Sequence, residues 1–100
     1  MKEICIRFPK GKPGHELLYY MGVDWYNEKP KSGQKLLDKC EIGKSVILNI
    51  KEAQLLKDEV DNALDIKADH LDNEGWNLKQ HQCLNDLSSK LYKFIAKEQL

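Results

Sequence analysis

Arginine occurs once in this chain, at Arg7, and the longest apolar runs are only a few residues. A bilayer span needs roughly 20 consecutive apolar residues, so no membrane-spanning helix is expected. The opening "MKEICIRFPKGKPG" meets charge and proline too early for the apolar core of a secretion signal, and a cytoplasmic location follows as the expectation. Cysteine is scarce, odd in number and widely spaced, at Cys5, Cys40 and Cys83, which argues against a secreted disulfide framework. The three read as reduced thiols, small apolar residues in a core.

Reaction chemistry is missing from the linear pattern as well. There is no Cys-x-x-Cys or His-x-x-x-His spacing, no nucleophile elbow and no dinucleotide fingerprint. Gly43-Lys44-Ser45 matches only the tail of a phosphate loop and reads as a turn. "HQC" at 81–83 sets a histidine and a cysteine two apart, which on a helix face different ways. Cys40 with His70 is an arithmetic nucleophile and base pair and nothing more. No enzyme activity, cofactor or metal site is expected from these residues.

What is present suffices for one folded unit: 100 residues, 41% hydrophobic and 32% charged. The formal charge is zero but uneven, net +4 over residues 1–51, −6 over 52–74 and +2 over 75–100. Such asymmetry implies charged faces on a neutral protein.

"KEICIRF" alternates Ile4, Ile6 and Phe8 with Glu3, Cys5 and Arg7, the period of a half-buried strand. "HELLYYMGVDWY" has two readings. Pro13 and Gly22 can bracket a short helix, but its aromatics and Val23, and the alternation of Leu18 and Tyr20 with Val23 and Trp25 past a bulge at Gly22, favour a second strand. "NEKPKSG" is a loop by composition. Residues 34–42 fit strand or helix equally, and Gly43-Lys44 turns the chain into the strand "SVILNI".

At Asn49 the period changes. Asn49 and Glu52 have capping-box spacing, and the chain then reads helical almost to Leu100, with a break at "LDNEGW", where Asp72 or Asn73 can cap a second helix. The expected fold is α+β over residues 1–100: an antiparallel β-meander of three or four strands, then a C-terminal two-helix hairpin packed on one sheet face.

On the first of these helices Ala53, Leu56, Val60, Ala63, Leu64 and Leu71 share a face, with Lys67 among them running its stem along the core and its amine to water. Asp58, Asp61, Asp65, Asp69 and Asp72 fall within an arc of about 80°, roughly 140° from that face. On the second, Trp76, Cys83, Leu84, Leu87, Leu91, Phe94 and Ile95 are apolar, and Lys79, Lys90, Lys93 and Lys97 line one flank beside the aspartates. The plainest role for the acids is a solvated face with cross-helix charge pairs, each worth about 0–1 kcal/mol. Helical acids diverge radially and lack the order of a calcium loop, so metal is not expected.

Two binding surfaces follow. The aspartate row, Asp58, Asp61, Asp65, Asp69 and Asp72, suits a basic groove on another protein, the expected partner. Lys10, Lys12, Lys29, Lys31 and Lys35 in predicted loops, with Tyr19, Tyr20, Trp25 and Tyr26 between them, give the alternative of nucleic-acid contact. Leu55, Ile66, Leu78, Tyr92 and Ala96 point off the main apolar faces and suit a partner or a second copy of the chain. A small non-enzymatic regulator or inhibitor, of the sort phage-like elements carry, has this profile.

Overall fold

The computed structural model describes residues 2–27, 31–69, 71 and 76–98, and the side chains of 23–27 and 31–34 lie outside that description. Its elements are strand β1 (Glu3–Arg7), helices α1 (Gly11–Asn27) and α2 (Lys31–Lys39), strand β2 (Ser45–Asn49), and helices α3 (Ile50–Ala68) and α4 (Leu78–Glu98). The protein is α+β, and the sheet among the described residues has two strands.

β1 and β2 pair antiparallel, with Ile4 opposite Leu48, Cys5 opposite Ile47 and Ile6 opposite Val46. The predicted alternation holds: Ile6, Val46 and Leu48 are buried, while Glu3, Cys5, Arg7, Ser45 and Ile47 face outward. Gly43, with φ of 76°, turns the chain into β2, a left-handed conformation that glycine adopts without strain. Its N–H donates to the Phe8 carbonyl at 3.1 Å, closing the ladder just before the turn.

"HELLYYMGVDWY", expected as a strand, lies in helix α1. Over residues 11–22, where side chains are described, the buried residues are Pro13, Gly14, Leu17 and Met21, an i, i+3, i+4 pattern that one helical face satisfies and a strand does not. Leu18 and Tyr20 do alternate, but both are only half-buried at the margin of that face. Gly14 fits where nothing larger can, since a Cβ there would stand 2.0 Å from the Pro9 carbonyl oxygen. The open stretch 34–42 resolves into helix α2 through Lys39, which buries Leu36, and Cys40 just beyond it is buried too.

The Asn49 and Glu52 capping box forms in both directions, at 2.9 and 3.0 Å. α3 buries Ala53, Leu56, Val60 and Ala63, and α4 buries Leu84, Leu87 and Leu91. The two run antiparallel: Asp61 of α3 accepts from the Ser88 hydroxyl, and one turn earlier Lys57 stands 5.7 Å from the centre of the Tyr92 ring, one turn later on α4. The interhelical break at Asp72 and Asn73 lies outside the described residues. α4 is capped by Asn77, which exchanges hydrogen bonds with Gln80 at 2.9 Å each way, a second capping box. Trp76 therefore precedes α4 and is fully buried beneath its start.

Candidate functional site

The acidic row divides on contact with its surroundings. Asp61 is committed: it binds Lys57 one turn back and the Ser88 hydroxyl across the helix seam. Asp58, Asp65 and Asp69 are exposed and have no ion-pair partner among the described residues. Asp72 lies outside the described residues. Helical geometry sets Asp58 and Asp65 about 10 Å apart along the axis and within about 20° of each other, with Asp69 about 6 Å further on. Ile66, 38% exposed, adjoins Asp65.

The expected neutralisation from α4 is absent among the described residues. No ion pair joins the aspartates to Lys79, Lys90, Lys93 or Lys97, all of which are exposed. The residue that α4 presents to Asp61 is Ser88, so the seam carries a hydroxyl contact in place of the expected charge pairing.

The lysine surface changes more. Lys12 and Lys35 sit on helices α1 and α2, as does the backbone of Lys31, in place of the predicted loops; Lys10 just precedes α1, and Lys29 lies outside the described residues. Tyr19 and Tyr20 are on α1, where Tyr19 is 62% exposed and Tyr20 half-buried, so the interleaved aromatic strand does not form. Lys35 shares a polar notch of about 220 Å³ with Asn49, Lys51 and Glu52, and Glu52 already binds Lys39 at 2.9 Å.

Lys67, expected to reach water, does not. Its side chain is 8% exposed, its amine lies 3.4 Å from the Glu16 carboxylate, and it stands 5.5 Å from the centre of the Trp76 ring. The Trp76 indole N–H in turn donates to His81 Nδ1 at 3.3 Å. Burial raises the Tyr20 phenol above its ordinary range; Lys67 opposes the rise and Glu16 adds to it. This node joins α1, α3 and the start of α4, and a paired, ring-stacked ammonium deep in a fold is a clamp between elements. Only the i, i+4 spacing of Ala63 and Lys67 on the apolar face hinted at it.

Of the three thiols, Cys40 is buried, whereas Cys5 and Cys83 are exposed, contrary to the expectation that all three pack inside. Burial pushes the Cys40 thiol up to about 12 and raises Cys83 more modestly. His70, the arithmetic partner of Cys40, lies outside the described residues. Leu78, 66% exposed, and Cys83 border an open groove on α4 with Lys79, Gln82 and Asp86. Leu78, Ile66 and Tyr92 are exposed as expected from their off-face positions, whereas Leu55 and Ala96 are half-buried.

The fold and surface define a small α+β protein with charged faces and a buried lysine paired with a half-buried glutamate. No protein family, curated protein or solved structure matches the chain.

Proposed function

We propose that this chain is a non-enzymatic cytoplasmic protein that binds another protein, acting as a regulator or inhibitor through the acidic side of α3. The observation that carries this reading is the set Asp58, Asp65 and Asp69, exposed beside Ile66 and without an ion-pair partner among the described residues. Regular negative charge on a rigid helix speeds encounter with a basic groove, and the adjacent apolar side chain gives contact area once docked. Asp61 is not part of the interface, because Lys57 and Ser88 already occupy its oxygens.

The test is affinity capture from native lysate with the wild-type chain and with the Asp58→Asn, Asp65→Asn, Asp69→Asn variant, each across a salt series. A protein retained by the wild type, lost at high salt and lost in the variant supports the reading. Retention of the same protein by both chains rejects it.

A further inference from the structure

β1 has β2 as its one strand partner among the described residues; its second edge is left unpaired by the sheet and borders a groove of about 230 Å³ shared with Cys83, Asp86, Leu87 and Lys90 of α4. The ladder fixes which groups that edge offers. The Phe8 N–H donates to the Lys44 carbonyl at 2.9 Å, so by antiparallel alternation Ile6 and Ile4 turn their backbone groups to β2. Glu3, Cys5 and Arg7 then present N–H and C=O along the open edge. The same three residues carry exposed side chains on the outer face.

We propose that a second copy of this chain pairs with this edge, β1 antiparallel to β1 about a two-fold axis at Cys5, giving a four-stranded sheet in the order β2-β1-β1-β2. In that register Glu3 of each copy meets Arg7 of the other, and Cys5 meets Cys5. The strand "EICIR" is complementary to its own reverse: acid faces base at both ends, and the residues with opposite charges are those whose backbone groups turn outward. An isologous interface requires such self-complementarity. Arg7, the only arginine of the chain, supplies a planar fork suited to a carboxylate. On the inner face Ile6 is already buried within its own chain, and pairing covers the remaining surface of the half-buried Ile4. On the outer face Ile47, 54% exposed beside Cys5, joins a row of Ile47, Cys5, Cys5 and Ile47 across four strands. The open edge of β2 lacks this pattern, since Ser45, Ile47 and Asn49 carry no charge. The residues involved are distinct from the acidic side of α3, so the pairing and the partner-binding reading stand or fall separately.

Sedimentation equilibrium over a concentration series tests the pairing. The mass rises from 11.6 kDa toward twice that value. Glu3→Arg or Arg7→Glu sets like charges opposite each other twice per dimer and weakens association about ten-fold, while the double reversal Glu3→Arg, Arg7→Glu restores it. In a Cys83→Ser chain, a short bis-maleimide joins two copies through Cys5, a readout that does not require the charge variants to fold. A monomer at every concentration, a dimer indifferent to both single reversals, failure of the double reversal to recover association, or no link through Cys5 would each overturn the proposal.

Discussion

Replacing Trp76 by alanine tests the packing at the start of α4 most directly. The indole is fully buried, stacks near the Lys67 amine at 5.5 Å and donates to His81 at 3.3 Å. Burying an aromatic of roughly 150–250 Å² at about 25 cal/mol per Å² contributes roughly 4–6 kcal/mol as an upper bound. Truncations of this kind cost about 3–5 kcal/mol, and the cation–π attraction that goes with the ring falls inside that range. A domain of this size has about 5–15 kcal/mol in total, so Trp76→Ala should leave the fold marginal. Trp76→Phe keeps a ring beside Lys67 and loses the indole N–H and some volume, a cost of about 1–2 kcal/mol. Urea unfolding followed by far-UV circular dichroism reads both, without relying on tryptophan fluorescence, since the substitution removes one of the two tryptophans and leaves Trp25. A loss below about 1 kcal/mol for Trp76→Ala, with an unchanged denaturant slope, would refute the placement of this side chain and of the Lys67 clamp around it.

Two further outcomes follow from local geometry. Asn49→Ala breaks the capping box at the β2 to α3 junction and should cost about 0.5–2 kcal/mol in the same urea assay, as should Asn77→Ala at the start of α4; no loss at either position would contradict the caps. For the thiols, an aromatic disulfide reagent at pH 8 should titrate Cys5 and Cys83 in the native protein and Cys40 only after unfolding. Because burial holds the folded Cys40 thiol at about 12 against an ordinary 9.0, its neutral form stabilises the fold fully below pH 9. That contribution is lost as pH rises toward 12, so the unfolding free energy should fall across this window and Cys40→Ala should flatten the slope.

Strands β1 and β2 were legible because a half-buried strand imposes a period of two, and both obey it residue by residue. The Asn49 cap was legible because its chemistry is local. Helix α1 was not, for a physical reason: Tyr19, Tyr20 and Val23 prefer strands only weakly, and burial of Leu17 and Met21 on one helical face outweighs that preference. The absence of that strand also changes the setting of the lysines, since Lys12, Lys31 and Lys35 then fall on helices and not in the loops that flanked it. The α4 start went unseen although Asn77 and Gln80 repeat the spacing of Asn49 and Glu52, since the glycine upstream drew the boundary to "LDNEGW".

The aspartate row turns on a feature that helical periodicity alone does not supply, the rotation of α4 about its own axis. Periodicity places Lys79, Lys90, Lys93 and Lys97 on a flank, but which residue meets Asp61 depends on how Leu84, Leu87 and Leu91 seat against α3. That seating brings Ser88 to the seam and leaves the lysines in solvent. Asp61 then holds the two helices in register, and Lys57, one turn back, reaches the Tyr92 ring. Asp58 and Asp65, nearly a whole number of turns apart, share a side of α3 that Ser88 does not occupy. The seam therefore satisfies one acid and leaves its neighbours solvated, and it is that division, more than the number of acids, that makes α3 the surface for a basic partner to test.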